Sequence, residues 1–140
     1  MKFFCVEPEV AGELGDNTKI DRSVHPPIVN RLHYELDGWL GDALLESFPC
    51  FVVTEHAKEC IRNASFTGTS FDRVEITTSD QFRELYPARE LPAFAWFKVE
   101  GTPGQDDFGT TSDGRLIVSG RALDMLREIG IAHALITEFS

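Results

Sequence analysis

Asp106 and Asp107 stand side by side in the stretch "TPGQDDFGTTSDG", where the chain carries its most chemical-looking pair. Adjacent carboxylates can hold a divalent cation or share acid and base roles. On an extended segment, however, neighbouring side chains point to opposite sides. That favours a structural role, in which one aspartate orders the turn. A hydrolytic metal site would need a histidine as well, such as His25 or His33. The four histidines, His25, His33, His56 and His133, form neither HExxH nor HxH. Cys5, Cys50 and Cys60 are odd in number and form no CxxC, so they read as reduced structural thiols and not as a zinc or disulfide framework. No GxSxG elbow is present, and "GTPGQDDFG" lacks the Lys-Ser/Thr of a phosphate cradle. The chain is therefore expected to act without catalysis, cofactor or resident metal.

A second aspartate links this stretch to another. Asp42 in "WLGDALL" precedes Phe51 by the same interval that separates Asp107 from Leu116. The segments beginning at Phe51 and Leu116 are also similar, "FVVTEHAKECIRNAS" and "LIVSGRALDMLREIG". In the first, an apolar strand leads to Thr54 as N-cap, and Ala57, Cys60, Ile61 and Ala64 share one helical face. In the second, Ser119 is the cap, Ala122, Met125, Leu126 and Ile129 make the face, and Gly130 is placed to stop the helix. Val74 and Ile76 would return the first unit, and Ala134 to Ile136 the second.

The remaining elements frame these two units. Lys2 to Val6 reads as a first strand and not as a signal peptide. Residues 8–30 lack periodicity and read as a long irregular connection. Leu32, Tyr34 and Leu36 alternate with polar residues as in a half-buried strand ending at Asp37-Gly38. Thr78 or Ser79 caps a short helix with Phe82, Leu85 and Tyr86 on one face, ended by Pro87. "LPAFAWFKVEG" suits a strand covered on both sides, with Trp96 in the core. The expected fold is α+β: a mixed sheet with two pseudo-repeated strand–helix–strand units and an extra short helix. One domain would span 1–140, with N-terminal strands and the connection in 1–50. The first unit takes 51–76, the short helix, central strand and loop take 77–109, and the second unit takes 110–140.

Composition narrows the function. With 42% hydrophobic residues and eleven Phe, the 140 residues can build a core. No apolar run is long enough for a transmembrane helix. The formal net charge is −10, and the acids are spread along the chain. That disfavours nucleic acid, which needs clustered Lys and Arg, and suits a basic partner. Solubility alone would also account for it. Trp39, flanked by glycines, could anchor an interface or close the sheet. Glu55, His56 and Arg121 read as solvated.

Three segments together, "GWLGDALLESFPCFVVTEHAK", "LPAFAWFKVEGTPGQDDFG" and "LIVSGRALDMLRE", resemble small bacterial immunity proteins of polymorphic toxin systems and related domains of unknown function. The matching features are Trp39-Leu40-Gly41-Asp42, Asp106 to Gly109, and Leu116 to Leu123. The resemblance covers roughly residues 32–139; the segment before residue 30 has no counterpart. It implies a cytoplasmic protein that neutralises a cognate, often basic, toxin domain by occluding its active site or locking an inactive form. Exposed acids and aromatics in loops are the expected contacts: Asp37, Trp39, Asp42, Asp106, Asp107 and Phe108. A regulatory or scaffolding domain of a bacterial secretion system is the second reading. A small metal-dependent hydrolase using Asp106 and Asp107 is the third.

Overall fold

The computed structural model describes residues 2–140. It is α+β, with twelve strands in three sheets and three helices among the described residues. The middle layer is an antiparallel sheet ordered β5 (Leu44–Ser47), β6 (Cys50–Thr54), β9 (Phe94–Val99) and β7 (Thr69–Asp72). Its side chains alternate between two cores. Phe51, Val53, Ala95 and Phe97 point into one; Cys50, Val52, Phe94 and Trp96 point into the other. The continuous apolar run is β9, buried on both faces as parallel-sheet-like hydrophobicity predicts.

The first core is closed by a second antiparallel sheet, ordered β10 (Phe108–Thr110), β11 (Leu116–Ser119), β1 (Phe3–Glu7) and β12 (Leu135–Phe139). Helices α1 (Glu55–Asn63) and α3 (Gly120–Ile129) pack there through Ala57, Ile61, Ala122, Leu123 and Leu126. Thr54 and Ser119 cap them, each accepting the N–H three residues on. Gly130 ends α3 at φ 121°, a conformation open to glycine.

The second core lies under the third sheet. Here β4 (Ile28–Leu36) pairs antiparallel with β2 (Gly12–Leu14) and β3 (Lys19–Asp21) and parallel with β8 (Val74–Thr78). Leu32, Tyr34 and Leu36 bury against Val52 and Trp96, joined by Phe82 of α2 (Asp80–Leu85). Burial pushes the Tyr34 phenol up to about 12; its hydroxyl accepts from Ala11 N–H and donates to the Glu46 carbonyl.

Three expectations change. Residues 8–30 hold β2, β3 and the start of β4, strands too short for a period-2 pattern to show. Val74–Ile76 does not return the first unit: it belongs to β8 in the third sheet, and the strand that follows α1 within the sheet of β6 is β7. The unit drawn as 51–76 thus crosses two sheets. In α2, Ser79 is the cap and Phe82 is buried, but Leu85 is 60% and Tyr86 36% exposed. The helix has only six residues, and its last turn passes beyond the core. No described helix is long and apolar enough to cross a membrane.

One carboxylate opposes this packing. Burial, helped by the charge of Glu7, raises Glu46 on β5 to about 7 from 4.5. A raised carboxyl withholds stability as pH climbs from the unfolded value through the folded one, because only the unfolded chain ionises freely there. Glu46→Gln should therefore leave stability unchanged at pH 4 and raise it by about 1–2 kcal/mol at pH 8. Urea titrations at the two pH values check this, and equal shifts at both would refute it.

Candidate interaction site

Three connections meet beside the second core: Glu9 to Gly12 between β1 and β2, Asp37 to Leu40 after β4, and Tyr86 after α2. They line an open cleft of about 320 Å³. Its rim exposes apolar surface, with Val10 at 68% and Leu40 at 61%. The lining carries two acids, Glu9 and Asp37, and no Lys or Arg. Trp39 is half-buried and held on two sides. Its Nε1–H donates to the Asp42 carbonyl at 2.9 Å, and its ring meets Phe94 edge-on, centroids 5.8 Å apart. The Arg89 guanidinium lies 5.0 Å from the Trp39 ring centroid and 5.6 Å from that of Tyr86. Trp39 therefore closes the core with its body, while Arg89 stacks over its ring.

Below the cleft, Glu9, Asp42 and His133 bring donor atoms within 4.8 Å of one another. Glu9 is 6% and Asp42 2% exposed. The set has the donor types of a divalent-cation site, yet hydrogen bonds already engage each carboxylate oxygen. Asp42 accepts the His133 N–H on Oδ2 and faces Nδ1 with Oδ1, both at 2.8 Å. Glu9 accepts from the Leu40 and Asp42 N–H groups. The cluster is a clasp: it ties the start of β5 to the loop after α3, and Ala43 N–H to Gly130 O reinforces it.

Asp107 makes the reciprocal clasp. Standing before β10, it reaches the loop after α1, where the Thr67 N–H donates to Oδ2 at 3.0 Å. Ser119 Oγ donates to Oδ1 at 2.7 Å, and Arg121 forks onto both oxygens at 2.9 and 2.8 Å. The Arg121 bonds above all, then those from Thr67 and Ser119, hold the carboxyl well below the usual carboxylate range against the opposing effect of burial. Two glycines permit the approach: the Phe108 carbonyl lies 2.1 Å from where a Cβ on Gly68 or Gly101 would sit.

The sequence-predicted contacts thus divide. Asp37 and Trp39 share the cleft. Asp42, Asp107 and Phe108 are buried, at 2%, 6% and 0% exposed, so the expectation that they are exposed loop contacts is corrected. The carboxylates turn inward to satisfy backbone donors, and Phe108 packs edge-on against Phe97. Asp106 is half-buried and closes its own turn by accepting the Thr102 N–H at 2.7 Å. Counting equal intervals also misaligned the aspartates. Leu44 pairs with Val53 and Phe108 with Val118, so the second hairpin is one residue longer and Asp42 matches Asp106 in register. Arg121, expected to be solvated, holds Asp107. Of the hydrolase grouping, His33 bonds Thr77 and the Asn17 N–H and Asp107 is held by Arg121; the cation-type cluster found among the described residues is Glu9–Asp42–His133. Sequence reasoning missed Glu9, Val10, Leu40, Tyr86 and His133. Only the off-phase apolar Leu40 beside Trp39 gave a local signal.

No protein-family model matches the chain, and no curated protein matches it.

Proposed function

We propose that the protein is a binding module of the immunity type, which docks a basic toxin domain on the Trp39 cleft and blocks it by occlusion. One observation carries the reading: Val10, Leu40 and Tyr86 expose apolar surface around a half-buried Trp anchor, in a concavity lined by Glu9 and Asp37 and bordered by the stacked Arg89. Trp and Tyr are enriched among interface hot spots, and neighbouring apolar side chains exclude water from them. The net charge of −10 would accelerate and select a basic partner. The resemblance to immunity proteins in residues 32–139 points the same way.

Calorimetric titration against the toxin domain encoded beside this gene, at two salt concentrations, tests the proposal. Stoichiometric binding that inhibits the toxin and weakens at least about tenfold between low and physiological salt is expected. Absence of binding at micromolar concentrations would overturn it.

The scaffold supports an internal-repeat reading in revised form. The sheets β5-β6-β9-β7 and β10-β11-β1-β12 share strand order, direction and a helix after the second strand. Each is tied to the other by a clasp from its hairpin. In this reading the central strand of the second unit is β1, supplied from the opposite end of the chain. The third sheet and α2 then stand outside the repeat, and the cleft is built from their connections. A rigid doubled core would carry a separate recognition layer.

A further inference from the structure

We infer that the Trp39–Tyr86 pair is a receptor for a guanidinium group of a basic partner protein, and that Arg89 fills it in the free chain. The inference rests on the proposed docking of a basic protein and names the chemistry that docks. Cations are held over aromatic faces by the ring quadrupole, most strongly over Trp, and guanidinium stacks there best. Arg89 sits within that range of both rings. It belongs to none of the ion pairs among the described residues. Its side chain is exposed on a turn after α2, so its contact with the two rings is what an incoming group must replace. The rings are pre-positioned, Trp39 by its bond to the Asp42 carbonyl and its contact with Phe94. Asp37, exposed in the same cleft as the two aromatics, supplies the charge complementarity that an incoming arginine needs. A protein arginine would thus exchange with an internal one, keeping the cation–π contact and adding the Asp37 carboxylate.

An oligoarginine peptide titrated into the full chain tests this, followed by affinity and by the indole N–H resonance of Trp39. Removing any arginine makes the chain more acidic, so Arg127→Ala on α3 serves as a charge-matched control. Arg89→Ala should tighten binding about fivefold more than Arg127→Ala does, and the Trp39 signal should move on titration. Adding Tyr86→Ala, which also gives up the ring's contact with Phe82 and so is read in protein shown to be folded, should remove that gain. If Arg89→Ala gains no more than Arg127→Ala, or the gain survives loss of Tyr86, attraction is spread over the acidic surface and the receptor does not exist. Because no toxin is used, this failure would leave the immunity reading to its own titration.

Discussion

Asp107→Ala should lower the unfolding free energy by about 3–4 kcal/mol, the largest loss expected from any single polar substitution here. Three kinds of donor converge on this carboxylate: the Thr67 N–H, the Ser119 hydroxyl and the Arg121 fork. Removing it leaves the Thr67 and Ser119 groups without their acceptor and releases the start of β10 from the loop after α1. Arg121→Ala should cost much less, because that side chain is 61% exposed and its charge is screened. Asp107→Asn, which keeps one acceptor oxygen, should fall between them. The acid limb of stability gives a second signature. A carboxyl depressed in the folded state contributes fully above its unfolded value, near pH 4, and loses that contribution as pH falls below it. Asp107→Ala should therefore flatten the decline in stability below about pH 4. Chemical denaturation from pH 2 to 7 measures both effects. A variant within about 1 kcal/mol of the parent at pH 7 would show that the hairpin is held by its apolar contacts alone.

Glu46 acts in the opposite direction. Its raised carboxyl makes stability fall as pH climbs from 4.5 toward 7. The two groups thus both favour the mildly acidic range. Each variant weakens one limb, so the double variant should show both changes added.

Local chemistry made the helices and the central strand legible. Thr54 and Ser119 stand directly before apolar faces of helical period, and both cap. The run around Trp96 had no polar face to show, and it is covered on both sides. The short strands gave no such signal. β2 and β3 have three residues each, and β7 contains Thr69, Ser70 and Asp72, polar residues that suit a loop as well as a sheet. Their assignment comes from backbone pairing to β4 and β9, which depends on distant segments. The aspartates show the same limit. Asp42 and Asp107 look like surface acids by type, but their partners are His133 and Thr67, far away in the chain. The cleft was half legible. Asp37 and Trp39 are close in sequence, whereas Glu9, Val10 and Tyr86 reach them only through the third sheet and α2.

If the cleft is the docking face, Trp39→Ala should weaken the complex with the toxin domain by about 2–4 kcal/mol, roughly thirtyfold or more. The side chain is half-buried in the free chain, fixed by one hydrogen bond and one aromatic contact, so little rotamer entropy remains to be lost on binding. It sits at the base of the concavity, where Val10 and Leu40 can exclude water around it. Loss of the Phe94 contact will also lower stability, so the measurement needs a companion that spares the core. Leu40 supplies it: at 61% exposed, Leu40→Ala should leave stability within about 0.5 kcal/mol and still weaken binding about fivefold. Asp37→Asn at the exposed rim should slow association and reduce the salt dependence with a smaller change in affinity. Asp106→Asn, outside the cleft, should alter none of these. The pattern across the four variants separates a local hot spot from diffuse charge attraction, in which the two aspartates would matter equally and Leu40 not at all. Binding that survives both Trp39→Ala and Leu40→Ala in folded protein would move the docking face elsewhere.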